Sequence, residues 1–452
     1  MSSSKKPKGR FHIETFGCQM NVNDSERVAG LLLESGYERA VEAGAADFVF
    51  VNTCAVREKS TEKLYSTLGR LARQRAARPG LRIGVGGCVA QLHGTEILER
   101  APALDLLVGT HNLARVPELL ERAAEGETQV DLDRAADSFA VPQASVAHTS
   151  PVRAYVTVME GCNHVCSFCV VPRTRGPESC RDPEAIVEEV RSLVERGYPE
   201  VMLLGQTVNA YRHSGLDFAA LLERVAGVAG LARLRFTTSH PSHVTPRLGE
   251  AMRLPPVCPY LHLPAQSGSD RILASMRRGY TRDEYLRTAE MLRERVPGLA
   301  LTSDVIVGYP GETEADFEAT LSLLESARFD GLFVFLYSPR PGTTALRLAD
   351  DVPEVEKKRR FQVLNQRQQR DQARANSARV GRRARVLVDS VDGEGRLSGR
   401  TPDFRIVHLE GGPDLLGSEV EVEIQGSGPN SLQGRRLSPN DSLTRVSAVP
   451  IF

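Results

Sequence analysis

The segment Met159-Glu-Gly-Cys-Asn-His-Val-Cys-Ser-Phe-Cys169 sets Cys162, Cys166 and Cys169 at a C-x3-C-x2-C spacing. A loop this short can wrap three thiolates around one compact inorganic centre. A [4Fe-4S] cube has four corners, so three thiolates leave one iron open. Zinc sites usually take four ligands from two C-x2-C pairs, and an electron carrier needs a fourth cysteine. Cys180 lies eleven residues beyond Cys169 and is the nearby candidate for closing such a site. His164 reads as a polar loop residue.

Three further cysteines, Cys18, Cys54 and Cys88, are 36 and 34 residues apart. Each falls just past the carboxyl end of a predicted strand: Phe11–Thr15, Phe48–Asn52 and Arg82–Val85. Strand and helix alternate here, which implies a parallel sheet. Ligands bind at the edge where the carboxyl ends of such strands lie. Three thiolates distant in sequence can therefore converge and again leave one iron open. The competing reading is three unrelated core cysteines.

The elements that must position these groups follow from periodicity. Asn23 and Asp24 serve as candidate N-caps of a helix ending at Leu33. Leu64, Leu68 and Leu71 recur at i, i+4 and i+7 and define a buried helical face. Residues 124–151 lose periodicity and read as a linker. A second series follows, with strands Ala154–Met159, Glu200–Leu204, Arg233–Thr237, Pro259–Leu263, Ala300–Val307 and Gly331–Tyr337. Helical patterns such as Pro183–Arg196 and Thr313–Ser326 lie between them. Six β/α units predict a partial barrel, smaller than an eight-unit one. Pro353–Asn376 reads as a polar helix. Strands Ala384–Asp389, Arg405–Leu409 and Glu419–Ile424 then predict a small antiparallel β domain, barrel or sandwich. The fold class is multidomain α/β, with units at 10–125, a linker at 126–151, then 152–376 and 377–446.

Composition bounds the partners. The 452 residues hold 57 Lys plus Arg and 57 Asp plus Glu, so the net charge is zero and a globally basic nucleic-acid binder is excluded. No apolar run approaches the roughly 20 residues that span a bilayer. The polar, lysine-rich Met1–Gly9 is not a secretory signal. A cytoplasmic chain is expected, where clustered cysteines are metal-binding or catalytic more often than disulfide-bonded.

The first cysteine motif, with Phe168 before its last cysteine, resembles the signature of the radical S-adenosylmethionine superfamily. In such enzymes the open iron chelates S-adenosylmethionine, and an electron from the cluster releases a 5′-deoxyadenosyl radical. The surrounding segments Thr15-Phe-Gly-Cys-Gln-Met-Asn21, Asn52-Thr-Cys-Ala-Val-Arg-Glu58 and Gly86-Gly-Cys-Val-Ala-Gln91 resemble the methylthiotransferase family. So do Leu204-Gly-Gln-Thr-Val-Asn209, Thr238-Ser-His-Pro241, His262-Leu-Pro-Ala-Gln-Ser-Gly-Ser-Asp270, Asp304-Val-Ile-Val-Gly-Tyr-Pro-Gly-Glu312 and Tyr337-Ser-Pro-Arg-Pro-Gly342. The likeness runs from about residue 10 to 445. Gln19-Met20-Asn21 and Arg57-Glu58 resemble the branch acting on tRNA. Two positions depart from the pattern: Cys180 replaces an expected serine and Thr207 an expected asparagine.

The resemblance implies two [4Fe-4S] clusters, one on Cys18, Cys54 and Cys88 and one on Cys162, Cys166 and Cys169. It implies methylthiolation at C2 of N6-isopentenyladenosine, position 37 of tRNA, using two S-adenosylmethionine per turnover. An electron donor such as flavodoxin or ferredoxin is implied, and a monomer is expected. Gln206, Asn209, Gln266 and Asp304, at or after barrel strands, are candidates for the cofactor or substrate pocket with Phe168, Arg173 and Arg175. Lys357–Arg385 holds 11 basic residues and one acid, Asp371. A solvated helix face would explain that strip by itself. Gly399-Arg-Thr401 and Asn430-Ser-Leu-Gln-Gly434 resemble the TRAM domain, so strip and barrel together read as an RNA handle, with Arg382, Arg383, Arg385 and Arg400 on phosphates. The competing functions are methylthiolation of threonylcarbamoyl-adenosine tRNA or of a ribosomal protein side chain, and a non-catalytic iron–sulfur RNA-binding protein.

Overall fold

The computed structural model describes residues 7–56, 58–134, 139, 141 and 145–437. Arg57, Pro142 and the tail after residue 437 lie outside the described residues.

The first unit is a six-stranded parallel sheet. Its strands are β1 (Arg10–Phe16), β2 (Glu38–Arg39), β3 (Phe48–Thr53), β4 (Arg82–Gly86), β5 (Leu106–Val108) and β6 (Gln129–Asp131), in the order β2-β1-β3-β4-β5-β6. Central β3 is buried along its whole length. Val49 and Val51 face Leu64, Leu68 and Leu71 of helix α2 (Glu58–Ala77), while Phe48 and Phe50 face Val28 and Leu32 of helix α1 (Gln19–Glu34). The sheet is thus covered on both faces, as a parallel sheet requires. β6 falls inside the segment read as linker. Three residues are too few to carry a period-2 signal, and pairing with β5 alone makes them a strand. α1 also begins earlier than its side chains suggest: Cys18 occupies the N-cap position, so Asn23 and Asp24 lie within the helix.

The second unit is an open barrel of two three-stranded parallel sheets. One holds β7 (Arg153–Thr157), β8 (Glu200–Leu204) and β9 (Arg233–Thr237), and the other β10 (Tyr260–His262), β11 (Ala300–Val307) and β12 (Gly331–Leu336). A bridge between Leu234 and Val257 joins the two. Outer helices start at side-chain caps. Asp182 accepts from the amides of Glu184 and Ala185, and Thr281 and Thr313 each complete a capping box.

The long polar helix spans Glu354–Ser377 and leads into a closed barrel of β13 (Arg383–Val391), β14 (Leu397–Arg400), β15 (Ile406–Leu409), β16 (Glu419–Ser427) and β17 (Leu432–Arg436). Its loop at residues 401–405 covers the amino ends of the large barrel's strands. Arg235 donates to the carbonyls of Thr401 (2.9 Å) and Pro402 (2.7 Å) and to Glu200 (2.8 Å). Phe404 packs against Tyr260, with ring centroids 4.8 Å apart, beneath the Arg235 guanidinium. The opposite, carboxyl end carries the cysteines. Among the described residues no helix is long and apolar enough to cross a membrane.

Arg235→Ala should loosen this docking. Removing one partner from a buried charged network costs about 3–5 kcal/mol. Limited proteolysis should cut faster between residues 377 and 383, and cleavage at the wild-type rate would contradict the docking role.

Candidate functional site

Cys162, Cys166 and Cys169 sit on the loop leaving β7. Its base is a short antiparallel pairing of Met159 with Cys180 and Glu160 with Ser179. Gly161 must be glycine: its φ is +78°, and a Cβ would lie 1.9 Å from the Pro177 carbonyl oxygen. The Cys162 amide donates to Gly176 O at 3.1 Å, which folds the chain back on itself. The thiols have polar neighbours, and Cys162 has the His164 backbone besides the Thr207 hydroxyl. Thr207 Oγ1 lies 3.4 Å from Cys162 Sγ, the Arg278 Nη1 donates to Cys166 Sγ at 3.3 Å, and the Val171 amide donates to Cys169 Sγ at 3.4 Å. The three cysteines line a cavity of about 410 Å³ whose rim carries Arg173, Arg277 and Thr343. Burial pushes the Cys169 thiol up to about 12 and raises Cys162 as well. Neither Cys180, which packs against the barrel core, nor Cys258, which lies beside Arg235 and Glu200 at the other end of the barrel, lines this cavity.

Cys18, Cys54 and Cys88 follow β1, β3 and β4. A Cβ on Gly17 would lie 2.9 Å from Cys54 Cβ, so the first two loops touch only because residue 17 has no side chain. Asn52 donates to Asn21 O (2.9 Å) and Ser25 Oγ (3.0 Å), while Asn21 donates to Asn52 Oδ1 (3.1 Å). The thiol of Cys54 bonds to Cys18. That bond, with the amides of Asn21 and Met20, holds Cys18 down to about 6 against the opposing effect of burial. The same bond and burial raise Cys54, and burial raises Cys88. Both sites present three free thiols without a fourth among the described residues. That donor set fits a [4Fe-4S] cluster with one open iron and does not fit a closed tetrahedral zinc site.

One helix joins the sites. α1 starts at Cys18 and turns buried Asn23, Asp24 and Arg27 toward the second unit, while Ser25 between them bonds back to Thr15 and Asn52 of its own sheet. Asp24 takes a two-pronged bond from Arg175, with side chains 1% and 2% exposed. Arg27 pairs with Glu160 at 3.2 Å, and Thr157 Oγ1 donates to Asn23 Oδ1 at 2.8 Å. Glu26 accepts from the Thr149 amide and hydroxyl, both at 2.7 Å. Glu160 stands two residues before Cys162, and Arg175 follows the loop after Cys169. Val170, next to Cys169, is buried in the same core as Cys88.

Comparison with known proteins matches three family models: Uncharacterized protein family UPF0004 over residues 10–109, the Radical SAM superfamily over 156–324 and the TRAM domain over 377–437. The chain is 46% identical over 434 residues to the tRNA-2-methylthio-N(6)-dimethylallyladenosine synthase of Geobacter sulfurreducens, covering 94% of this chain and 96% of the relative. It is 46% identical over 446 residues to the enzyme of that name from Chromobacterium violaceum, covering 95% and 99%. The chain belongs to the tRNA-2-methylthio-N6-dimethylallyladenosine synthase family. A radical S-adenosylmethionine methyltransferase from Kitasatospora setae matches with a TM-score of 0.56 at 14% identity, over 85% of this chain and 79% of that one, which shows shared fold.

In this chain the predicted pocket residues divide. Gln206 accepts from the Gly161 amide and so braces the cysteine loop. Asn209 clasps the backbone of His240 through both its amide atoms, at 2.9 and 2.8 Å. Asp304 lies 3.3 Å from His262 in the barrel interior, and Gln266, at φ +70°, bridges to β11. Phe168 packs on Ile272, Met276 and Tyr309 behind the loop. Arg173 is exposed at the cavity rim. Arg175 does not reach the cavity, because its guanidinium is committed to Asp24. His164 does more than decorate a loop: it stacks on His240 at 3.9 Å, and its Nε2 lies 3.0 Å from that of His243.

The basic strip is largely neutralised. Lys357 pairs with Asp350, Arg359 with Glu314, Arg360 with Glu312, Arg367 with Glu325 and Arg379 with Asp403. Arg400 pairs with Asp389 beside Phe404, inside the docking interface, so it does not offer a free charge to phosphate. Arg382, Arg383 and Arg385 are exposed; Arg383 also engages a partner within the chain, and Arg385 donates to Glu419.

Asp24→Asn leaves Arg175 buried without its full counter-charge. The expected loss is about 3–5 kcal/mol in denaturant unfolding. Arg175→Met on that background should recover much of it. Unfolding of Asp24→Asn at the wild-type midpoint would show that the pair does not hold the units together.

Proposed function

We propose that this chain methylthiolates C2 of N6-isopentenyladenosine at position 37 of tRNA, with Cys162, Cys166 and Cys169 holding the cluster that meets S-adenosylmethionine and Cys18, Cys54 and Cys88 holding an auxiliary cluster. The observation that carries it is the joining of two three-thiol sites through one helix, in a chain of this family. The clusters and S-adenosylmethionine supply the radical and sulfur chemistry that an unactivated C–H bond demands and acid–base groups cannot provide.

The chain's own residues do the positioning. Gly161, Gln206 and the Gly176 carbonyl set the shape of the cysteine loop. Arg173 and Arg277 put positive charge at the cavity rim, where an anionic cofactor group or RNA phosphate enters. The C-terminal barrel, locked to the large barrel by Arg233 and Arg235, presents Arg382 and Arg383 to the tRNA backbone from a fixed distance. A single-stranded anticodon loop lets the adenine leave its stack at low cost. We infer a monomer in the cytosol, where thiols stay reduced, supplied with electrons by flavodoxin or ferredoxin and consuming two S-adenosylmethionine per turnover.

Anaerobic turnover with dithionite, sulfide and isopentenylated tRNA should yield the methylthio nucleoside by mass spectrometry, and tRNA lacking the isopentenyl group should yield none. Cys54→Ala should abolish that product while 5′-deoxyadenosine still forms. Product from the Cys54→Ala protein, or none from the wild type, would contradict the assignment. Arg382→Glu with Arg383→Glu should weaken tRNA binding for all sequences alike. The slope of log affinity against log salt should shrink by about one for each phosphate that the variant no longer neutralises. An unchanged slope would remove these residues from the interface.

A further inference from the structure

Among the described residues seven arginines are buried: Arg27, Arg175, Arg181, Arg233, Arg235, Arg278 and Arg360. Six pair with a carboxylate, respectively Glu160, Asp24, Glu189, Glu419, Glu200 and Glu312. Arg278 makes no such pair among the described residues. Its Nε donates to Tyr280 Oη at 3.0 Å, its Nη2 to the Pro264 carbonyl at 3.3 Å and its Nη1 to Cys166 Sγ at 3.3 Å. Tyr280 is anchored in turn by the carbonyls of Pro264 and Ala265. A phenol and a carbonyl fix the direction of the fork but bring no negative charge. A buried cation needs an anion, and the remaining arm of the fork points at the sulfur of Cys166, a proposed ligand of the cluster.

We propose that Arg278 is the counter-cation of the cluster held by Cys162, Cys166 and Cys169, and that it raises that cluster's reduction potential. On one-electron reduction by an external donor the cluster gains a negative charge, and no bond forms or breaks. An N–H donor on a ligand sulfur and a fixed positive charge both favour the reduced state. At the auxiliary site the buried arginine near Cys88 is Arg175, whose charge Asp24 offsets, so the same device is muted there. Arg278 lies 112 residues from Cys166, which is why no motif reveals it.

The inference rests on the proposed ligand assignment, and one preparation checks the two separately. The full chain is reconstituted with iron and sulfide, its iron is counted, and the EPR signal that S-adenosylmethionine perturbs is titrated against potential. Loss of that signal on Cys166→Ala tests the ligand assignment. With Arg278→Gln and unchanged iron, the ratio of reduced to oxidised cluster at a fixed potential should fall about tenfold, equal to 59 mV for a one-electron couple. Arg278→Lys, which keeps the charge, should recover most of that ratio. Loss of the cluster in the Gln variant but not in the Lys variant also supports the counter-charge role. An unchanged ratio in Arg278→Gln, an equal fall in both variants, or loss of the cluster in both, would overturn it.

Discussion

The buried charges along α1 are the constraint on which the rest depends. Asp24 and Arg27 lie about one helical turn apart, and they grip Arg175 and Glu160 on either side of the second cysteine loop. Burying such pairs is costly, and apolar contacts of equal volume often stabilise as well. What ion pairs add is direction, since a two-pronged bond between guanidinium and carboxylate tolerates little rotation. Cys18 at the start of the same helix is thereby fixed relative to Cys162 and Cys169. Chemistry that passes between two metal centres needs that fixity more than it needs added stability.

The barrel is used at both ends. Its carboxyl end carries the cysteine loop, the cavity and the junction with the N-terminal sheet. Its amino end is closed by the loop around Phe404, through Arg233 and Arg235. The small C-terminal barrel is consequently a rigid attachment. The acidic residues of the large unit, Glu312, Glu314 and Glu325, neutralise the helix that leads to it. Exposed arginines follow where the small barrel begins, at Arg382 and Arg383.

Much of this was legible in the sequence, because strands buried in a parallel sheet read as apolar runs. Glu200–Leu204, Arg233–Thr237 and Ala300–Val307 match the structure residue for residue, and the two cysteine groups were visible from their spacing and strand-end placement. What stayed hidden were partnerships across long separations. Asp24 looks like a helix cap until Arg175, 151 residues away, occupies its carboxylate. Arg400 looks like a phosphate-binding residue until Asp389 and Phe404 enclose it. The strip from Lys357 to Arg385 carries its charge openly in sequence, while the acids that quench it lie elsewhere in the chain. Thr207 stood out as a departure from the family pattern, but its position against Cys162 Sγ is a matter of folding.

The central claim is that α1 makes the two cysteine sites one rigid pair. The most direct measurement is the magnetic coupling between the two reduced clusters in the fully loaded enzyme, read by pulsed EPR with and without an isopentenylated anticodon stem-loop. A rigid pair predicts a single narrow coupling, the same in both states and broadened in Asp24→Asn. A broad distribution in the wild-type enzyme, unaffected by that substitution, would contradict it.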